Sequence, residues 1–459
     1  MNDRRVVVVG GGTAGLMAGY TLKKRGIEPI VLEEKDRAGG RLGGDRVDGF
    51  CIDEAADWFT TAHDVVLDLC DELELPMMAA EQTAAWHRRG KYLVTRHADV
   101  KPMTVLRNMV SAAQMGLMSP RSILALLKIV NQISKWKNFA SFASDATPVE
   151  ADTGELFVDY MARIGAPEDL VMLIRCFMED AMGDFQRMSS VQVLAYVSQI
   201  LMKGHLLRVP EKGIGSIAHA LSDRIGDGLR VSAPVRHIEI QDGVASTVNI
   251  EGENGESIKA DAVICATTST IATRIIPGLP QPIVNALGKV EYSVGCRIVF
   301  GLEHSPLPDG LTAVMFPEDE TPLMLDRSSY LRSCVPPGTA TLDLMIGRVR
   351  ARELLPLDDD EIKSQALAVA RRMAPPGSKI PQDGEGIFSR VYRWPEATAI
   401  TPPGVQRAVA NALHKHGDDI PNLFLAGEYT RMPSINGAIT SGRDAANEAA
   451  DYLNSLPND

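Results

Sequence analysis

The N-terminal part of the chain alternates short apolar runs with one amphipathic stretch. Val6–Val9 is an unbroken β-branched run, which is typical of a strand buried on both faces of a parallel sheet. Residues 14–25 have helical periodicity, and the basic residues at their end, followed by Gly26, indicate where this helix stops. Pro29–Leu32 is a second apolar run. The pattern therefore predicts a strand–helix–strand unit.

Similar apolar runs return far along the chain. Residues 235–240 and 261–266 predict strands separated by a turn rich in Gly and Glu. Residues 422–428 are an apolar run that closes on Gly-Glu, and a helical stretch follows it. Between these parts, residues 60–204 show helical periodicity, whereas residues 286–388 contain alternating runs that predict a sheet.

The turn after the first strand carries a glycine motif, Gly10-x-Gly12-x-x-Gly15. Gly10 permits the tight turn, Gly12 lets the backbone approach a pyrophosphate, and Gly15 lets the helix pack closely on the strand. The helix N-terminus would stabilise phosphate charge, and the Glu33 carboxylate after the second strand can accept hydrogen bonds from ribose hydroxyls. A glycine-rich turn alone is a weak signal, but the order strand, motif, helix, strand and acid predicts a dinucleotide site. Its predicted lining is Gly10, Gly12, Thr13, Ala14, Gly15, Glu33 and Glu34.

Length, charge and cysteine usage narrow the class of protein. The 459 residues predict two or three domains, and 45% hydrophobic with 23% charged residues fits a globular chain. The net charge of −12 argues against nucleic-acid binding, which requires a basic surface. The six cysteines are scattered without a Cys-x-x-Cys or a Cys/His cluster. Neither a disulfide framework nor a metal site is therefore predicted, and a reducing compartment is expected.

The residues after the second strand identify the dinucleotide. Residues 33–42 read Glu-Glu-Lys-Asp-Arg-Ala-Gly-Gly-Arg-Leu. This segment resembles the FAD-dependent superfamily of amine oxidases, protoporphyrinogen oxidases and phytoene desaturases, in which an acid is followed by D-R-x-G-G-R. The resemblance implies that Gly39 and Gly40 approach the FAD diphosphate and that Arg41 faces its phosphates. A guanidinium group also suits a phosphate partner on chemical grounds.

Three later segments extend the resemblance. Residues 53–58 are similar to the family's D-x-G-A-x-W segment near the flavin, with Ala55 where glycine is usual. A valine like Val235 contacts adenine through its backbone in that family. The acid after Gly427 would bind a ribitol hydroxyl, and the next helix N-terminus would face the flavin pyrimidine edge, where its dipole stabilises negative charge. The implied cofactor contacts are Ala56, Asp57, Trp58, Val235, Gly427, Glu428, Asn436, Gly437 and Ala438.

The resemblance implies an α/β fold with a discontinuous Rossmann-type FAD-binding domain and an α+β substrate-binding domain. FAD is expected to be non-covalent, because no cysteine follows Cys334 and the pair His414 and His416 lies in a polar turn. The absence of a second G-x-G-x-x-G favours an oxidase or dehydrogenase over a reductase fed by NAD(P)H. The predicted domains are residues 1–59, 205–285 and 389–459 for FAD, and residues 60–204 and 286–388 for the substrate.

The resemblance leaves the substrate open. Amine oxidases usually place a lysine, water-bridged to flavin N5, before an I-V-aromatic run, and alignment on residues 298–300 puts Cys296 at that position. One of the two aromatic rings that flank the amine would fall near Ser434, which is not aromatic. Tyr392 and Trp394 lie in a stretch similar to the R-W-x-x-A of protoporphyrinogen oxidases. They are candidates either to line the site or to pack in the core.

These features favour an FAD-dependent oxidoreductase that transfers a hydride from a C–H bond of an apolar substrate to flavin N5. The electron acceptor would be oxygen or a quinone. The alternatives are a flavin amine oxidase acting on a CH–NH bond, a redox-neutral flavoprotein isomerase and a non-catalytic flavin-binding partner. The sequence names no general base and no oligomeric state.

A basic stretch suggests where the protein works. Residues 100–144 contain six basic residues and no Asp or Glu. Within residues 121–137, apolar residues recur at helical spacing and include Trp136, which is typical of a helix at a membrane surface. The alternative is a core-facing helix with a solvated basic face. The uncharged run after Arg5 contains glycines and lacks a cleavage site, so we expect a cytoplasmic protein with peripheral membrane contact as a hypothesis.

Overall fold

The computed structural model of the protein describes residues 4–56, 58–61, 63–80, 83–96, 102–135, 152, 154–181, 183–203, 207–251, 255–318 and 323–457. Its strands are β1 (Val6–Val9), β2 (Pro29–Leu32), β3 (Gly44–Val47), β4 (Phe50–Asp53), β5 (Phe59–Thr60), β6 (Met77–Ala80), β7 (Thr83–Arg88), β8 (Lys91–Arg96), β9 (Leu207–Pro210), β10 (Leu229–Arg230), β11 (Val235–Gln241), β12 (Val244–Ile250), β13 (Ser257–Lys259), β14 (Ala262–Cys265), β15 (Glu291–Tyr292), β16 (Gly295–Leu302), β17 (Ala313–Met315), β18 (Leu323–Leu325), β19 (Ala340–Ile346), β20 (Phe388–Trp394), β21 (Ala399–Ile400) and β22 (Leu423–Leu425). Its helices are α1 (Thr13–Lys24), α2 (Asp64–Glu72), α3 (Pro102–Gln114), α4 (Pro120–Ser134), α5 (Phe157–Arg163), α6 (Glu168–Ala181), α7 (Ser190–Lys203), α8 (Gly215–Ile225), α9 (Ser269–Ile275), α10 (Gln281–Leu287), α11 (Arg348–Leu354), α12 (Asp359–Met373), α13 (Val405–His416) and α14 (Ile435–Ser455).

One sheet is parallel and contains the strand–helix–strand unit predicted for the N-terminus. Its strand order is β10-β2-β1-β14-β22, so that β1 lies in the centre. Helices α1, α8 and α14 cover one face, and helices α9, α10 and α13 with strands β11 to β13 cover the other. Because both faces are covered, the strands are continuous apolar runs. Three separated chain segments, within residues 6–32, 229–265 and 423–425, thus build one sheet.

A second sheet has seven strands in the order β20-β16-β19-β18-β17-β7-β8. Helices α11 and α12 cover one face, where Ile298 and Phe300 of β16 join the core. Val299 points the opposite way and packs against Phe50 and Ile52 of β4. The predicted domain boundary between residues 388 and 389 falls at the start of β20, yet β20 pairs with β16 along its whole length. The contact between β4 and this sheet joins the two halves of the protein.

The stretch predicted to be helical, residues 60–204, contains a helical layer but is not helical throughout. Helices α4 to α7 pack around a core of aromatic, methionine and branched side chains. The helical prediction is wrong for residues 77–80, 83–88 and 91–96, which form β6, β7 and β8. The β7–β8 hairpin turns at Arg89 and Gly90, whose φ angles of +48° and +73° suit a tight two-residue turn. None of the described helices is both long and apolar enough to cross a membrane.

Candidate functional site

The turn between β1 and α1 leaves an opening in front of Gly12. An added Cβ at Gly12 would meet no heavy atom within 4 Å, so the space before this residue is open. Gly10 has a φ of +100°, which L side chains rarely adopt, and a Cβ at Gly15 would collide with the Gly10 carbonyl oxygen. Helix α1 begins at Thr13, so the N–H groups of Thr13 and Ala14 have no partner within the helix. The opening is therefore suited to an anionic group.

The Glu33 carboxylate is held at the end of β2 beside this turn. The Gly11 N–H donates to one of its oxygens (2.7 Å), and the Lys35 N–H donates to the other (2.9 Å). Each oxygen keeps acceptor capacity for a further donor, such as a sugar hydroxyl. Glu34, also predicted to line the site, is exposed at the surface. The structure thus gives the two adjacent acids different surroundings.

The segment before β11 runs beside Glu33. The Ala233 N–H donates to the Glu33 carbonyl oxygen (2.8 Å), and the Ser232 N–H donates to the Lys35 carbonyl oxygen (2.7 Å). Val235 opens β11 two residues later and is half-buried. Val235 and the Glu33 carboxylate consequently lie at the same end of the site.

A second glycine turn, which contains Gly39 and Gly40, packs against the turn between β1 and α1. Gly39 and Gly40 have φ angles of +118° and +54°, both in the left-handed region. The Gly39 N–H donates to the Gly11 carbonyl oxygen (2.8 Å), and a Cβ at Gly40 would lie 3.2 Å from the Gly12 Cα. Backbone therefore bounds the opening at Gly12 on two sides, and any larger residue would narrow it.

Arg41 and Glu428 form a bidentate ion pair across 387 residues of sequence. The second of its two bonds, from Nη2 to Oε2, is 2.7 Å long, and Nη1 also donates to the Ala397 carbonyl oxygen (3.0 Å). Burial acts to lower the pKa of Arg41, but the Glu428 carboxylate outweighs it and raises the pKa above its usual value. Gly427, directly before the acid, donates its N–H to the Ser441 hydroxyl (2.9 Å). The pair thus ties the N-terminal glycine turn to the C-terminal segment.

The start of α14 is capped and anchored. The Ser434 hydroxyl accepts a hydrogen bond from the Gly437 N–H (3.0 Å) and caps the helix. The Asn436 side chain is fully buried, and its oxygen accepts from the Val66 N–H (3.1 Å) while its amide donates to Asp64 (3.1 Å). Asn436 therefore uses its side chain to hold α2, and its contact with the cofactor stays a prediction.

Small residues bring α14 against α1. A Cβ at Gly442 would collide with the Ala14 carbonyl oxygen, so the two helices meet backbone to backbone. The Ala438 N–H donates to the Ser434 carbonyl oxygen (3.0 Å) within the first turn of the helix. Gly437 is equally tight, because a Cβ there would collide with the Met432 carbonyl oxygen. The first turn of α1 therefore packs against α14 at Gly442, about two turns after the start of that helix.

The segment predicted to contact the flavin lies beside Arg41. The Ala56 N–H donates to the Arg41 carbonyl oxygen (3.2 Å). The half-buried Trp58 ring lies 6.3 Å from the Phe177 ring, centroid to centroid, and so reaches the helical layer. Asp57 lies outside the described residues. The segment therefore contacts the second glycine turn at Arg41 and α6 at Phe177.

Arg297 is a residue that sequence reasoning missed. Side chains of β16 alternate, so Cys296 faces the apolar core under α11 and α12, where burial raises its pKa to about 11. Arg297 points the opposite way, donates to the Ala55 carbonyl oxygen (3.3 Å) and forms an ion pair with Asp343. Both charged side chains are at most 3% exposed. The structure therefore corrects the Cys296 prediction, and the signal that could have found Arg297 is the period-two alternation of this strand.

Tyr392 and Trp394 lie on β20, on the face that meets the N-terminal segment. The Tyr392 hydroxyl donates to Asp45 (3.0 Å), and the Trp394 indole N–H donates to the Glu54 carbonyl oxygen (3.0 Å). The Lys35 ammonium lies 4.8 Å from the centre of the Trp394 ring. Burial, with Asp45 close by, raises the pKa of Tyr392. Both aromatic residues thus join the seven-stranded sheet to residues 35–54.

Taken together, the open Gly12 turn, the Glu33 carboxylate and the N-terminus of α1 define a candidate nucleotide-binding site in an α/β protein. The sequence profile of a family described as flavin containing amine oxidoreductase matches residues 13–450, and the chain belongs to this family. It is an FAD-dependent oxidoreductase, as predicted. The open glycine turns and the nearby carboxylates fit the diphosphate and the hydroxyl groups of that cofactor.

Relatives with different substrates cover almost the whole chain. Protoporphyrinogen oxidase 2, chloroplastic/mitochondrial, of Arabidopsis thaliana is 24% identical over 100% of this chain and 96% of its own length. The 15-cis-phytoene desaturase of Capsicum annuum is 22% identical over 95% of this chain and 76% of its own. Cyclohexylamine oxidase from Brevibacterium oxydans IH-35A superposes with a TM-score of 0.74 at 19% identity, covering 99% of this chain and 100% of its own. These relatives confirm the predicted superfamily and its α/β fold.

Proposed function

We propose that the half of the protein built on the parallel sheet is the FAD-binding domain. Gly10 follows β1, Glu33 follows β2 and Gly427 closely follows β22, and ligands of open α/β sheets bind at these carboxyl ends of the strands. The proposed segments are residues 1–59, 205–285 and 389–459. The pairing of β20 with β16 supports moving the last boundary to follow Trp394. The remaining residues would form the substrate-binding domain.

The proposed roles of the cofactor residues follow from their positions. FAD, when bound, supplies the hydride-accepting atom of the reaction. Gly12 and Gly40 leave room for the diphosphate, Glu33 accepts from the ribose hydroxyls, and the Arg41–Glu428 pair places one positive and one negative group for phosphate and ribitol. Ser434 and Gly437 fix the start of α14 and therefore the direction of its dipole.

The proposed reaction removes a hydride from a C–H bond of an apolar substrate. The observation that carries this proposal is an aromatic wall beside the flavin-side segment: Trp58 contacts Phe177, which lies 5.9 Å from Tyr196. At the position where amine oxidases present an aromatic ring, Ser434 uses its hydroxyl to cap α14. A substrate amine held between two aromatic rings would need the second ring that Ser434 does not supply, so these surroundings favour a substrate held by apolar contact.

Arg297 would act as a positioning residue at the edge of this wall. It is held by Asp343 and the Ala55 carbonyl oxygen, so its guanidinium is fixed on the face of β16 that meets the flavin-side segment. A guanidinium cannot serve as a general base, because it stays protonated at all physiological pH values. The proposed hydride transfer therefore relies on orientation of the substrate rather than on proton abstraction by this residue.

An anaerobic flavin-bleaching assay tests the proposed substrate class. The purified yellow protein is mixed with a panel of amines and with a panel of apolar conjugated or hydroaromatic compounds, and the flavin absorbance is followed. We expect bleaching by the apolar panel and recovery on admission of oxygen or a quinone. Bleaching by the amine panel alone would instead make the chain an amine oxidase, and bleaching by neither would favour a redox-neutral or non-catalytic flavoprotein.

We also propose a peripheral membrane contact through α4. One side of this helix packs on the helical layer through Ala125, Ile129 and Ile133. The other side exposes Leu124 and Leu127 to 61% and 60%, and Ile123 and Val130 are also exposed. Arg121 and Lys135 flank this apolar face, and residues 100–144 lack acids, so the surface complements anionic lipid. Residues 136 and 137 of the predicted helix lie outside the described residues.

Co-sedimentation with anionic liposomes at low salt tests this contact. We expect the wild-type protein to pellet with the vesicles and the Leu124→Ser/Leu127→Ser variant to remain in the supernatant. The Ile129→Val variant alters the opposite, buried side of α4 and serves as the control that should still pellet. Equal sedimentation of wild type and the double variant would refute the role of α4.

A further inference from the structure

Two cysteines from distant parts of the chain share one small cavity. Cys51 lies on β4, and Cys334 lies in a turn at residues 332–334, between β18 and β19. Both side chains line the cavity together with Arg327, Leu331 and Thr341, and both are free thiols. Cys334 is buried, whereas Cys51 is half-buried and can be reached from solvent. The geometry therefore combines an accessible thiol with a buried one next to it.

The surroundings of Cys51 favour its thiolate. The adjacent Cys334 thiol, opposed by burial and aided by Arg46, lowers the pKa of Cys51 to about 6, and the Cys334 thiol also donates to the Glu211 carbonyl oxygen (3.4 Å). Arg46 is the residue opposite Cys51 in the β3–β4 pair, and Lys212 adds to the positive charge while Asp53 opposes it. The thiolate is the nucleophilic form of cysteine, so the lowered pKa and the greater exposure favour Cys51 as the attacking sulfur of the pair.

Cys70, Cys265 and Cys296 differ from Cys51 in the direction of their pKa shifts. Burial raises the pKa of Cys70 to about 12 and that of Cys296 to about 11, and it also raises the pKa of Cys265. These three thiols are at most 3% exposed, whereas Cys51 is half-buried. Buried thiols in apolar surroundings are inert, which leaves Cys51 as the expected site of attack among these cysteines.

We propose that Cys51 and Cys334 are a peroxide-sensitive pair that closes to a disulfide between β4 and the turn at residues 332–334. This inference concerns the thiols alone and does not rest on the proposed substrate. The disulfide would covalently link two segments. One is β4, which leads into residues 53–58, and the other is the chain between β18 and β19. Asp53 and Arg327 already form a buried ion pair between the same two segments.

The chemistry balances with hydrogen peroxide as the oxidant. The Cys51 thiolate attacks one peroxide oxygen, the O–O bond breaks, and a sulfenic acid forms while hydroxide leaves and takes up a proton. The Cys334 sulfur then attacks the Cys51 sulfur, the S–S bond forms, and the S–O bond breaks to release water with the Cys334 proton. Two thiols lose two electrons in total, and one peroxide is reduced to two molecules of water.

The test begins with thiol counting on the flavoprotein. The protein is reduced with dithiothreitol, desalted, exposed to hydrogen peroxide and unfolded in a thiol reagent. We expect loss of two of the six thiols, with full recovery after renewed dithiothreitol treatment. Mass spectrometry of a tryptic digest should find the peptide of residues 47–88 cross-linked to that of residues 333–348. Survival of all six thiols would overturn the proposal.

Matched variants identify the cysteines involved. Cys70 lies on the same tryptic peptide as Cys51, so the Cys70→Ser variant should still form the cross-link, whereas the Cys51→Ser variant should form none and keep its five thiols. In the Cys334→Ser variant, Cys51 should accumulate as a sulfenic acid that dimedone traps. A cross-link that persists without Cys51, or a Cys51 oxidised in the wild type while Cys334 stays free, would contradict the proposal.

Discussion

The two halves of this protein present their chemistry in different ways. The parallel-sheet half uses backbone: its site is bounded by Gly12, Gly39 and Gly40, whose lack of a side chain creates the opening. The half with the seven-stranded sheet uses side chains, with the Arg297–Asp343 pair on one face of β16 and the aromatic wall on α6 and α7. Backbone sites need particular residues at fixed spacing, whereas side-chain sites tolerate many solutions. The cofactor can therefore be predicted from the sequence, whereas the substrate cannot.

The largest expected effect comes from the Gly15→Ala substitution in the backbone-built half. The added Cβ would collide with the Gly10 carbonyl oxygen, and neither atom belongs to a flexible side chain. We expect a loss of more than about 3 kcal/mol of stability, because β1 and α1 must move apart. Thermal melting by circular dichroism and the yield of folded protein measure this effect. A Gly15→Ala variant with the melting temperature of the wild type would show that α1 packs less tightly on β1 than this collision implies.

The Arg297→Met substitution tests the side-chain-built half. It leaves Asp343 buried without its charge partner, and we expect a loss of about 3 to 4 kcal/mol in urea unfolding. Flavin should be retained while substrate-dependent bleaching slows. The Cys296→Ser variant, one position along the strand and facing the core, should bleach at the wild-type rate. The reverse ranking of these two variants would restore Cys296 as the residue beside the site.

Cys296 and Arg297 also show how much of the site can be predicted from the sequence. The strand–helix–strand unit, the cofactor and the return of the C-terminal segment follow from periodicity and motif spacing, which are local properties. Which side of β16 faces the site depends on the register of the strand. A shift of one residue would place Cys296 on that face instead of Arg297. The bonds from the Asn436 side chain to Val66 and Asp64 are equally invisible to local patterns, because they depend on a helix some 370 residues earlier in the sequence.

The buried His63 lies directly before α2, and it should make stability depend on pH. Burial lowers its pKa to about 4, and its ring nitrogen accepts a hydrogen bond from the Thr60 N–H (3.2 Å). The unfolded chain, with a histidine pKa of about 6.5, binds the proton more readily. The free energy of unfolding should therefore fall by about 3 kcal/mol as the pH drops from about 6.5 to about 4, and then level off for this group.

Urea unfolding across that pH range measures the effect. The His63→Asn variant keeps an acceptor for the Thr60 N–H but cannot gain the proton, so its stability should change less with pH. The exposed His414 offers the control, because the His414→Asn variant should keep the wild-type dependence. Identical pH profiles for the wild type and the His63→Asn variant would exclude His63 as the cause.

The smallest expected effect on stability belongs to the Arg41→Met substitution. The Arg41 side chain is 29% exposed. Water can therefore partly solvate the Glu428 carboxylate once it has lost its partner. We expect a loss of about 2 kcal/mol, below the value for a fully buried pair, together with weaker flavin retention. A double-mutant cycle with Glu428→Gln isolates the pair. Additive effects of the two changes would mean that the ion pair contributes little.

The flavin content of a Gly12→Ala variant tests the central claim most directly. The added Cβ enters open space, and Gly12 has a φ of −73° that alanine adopts freely, so the apoprotein should melt like the wild-type apoprotein. The same methyl group would occupy the space proposed for the FAD diphosphate. We predict an unchanged apoprotein melting temperature with at least about a tenfold loss of FAD affinity, equivalent to about 1.4 kcal/mol. A variant that binds FAD as tightly as the wild type would contradict the assignment of this opening to the cofactor.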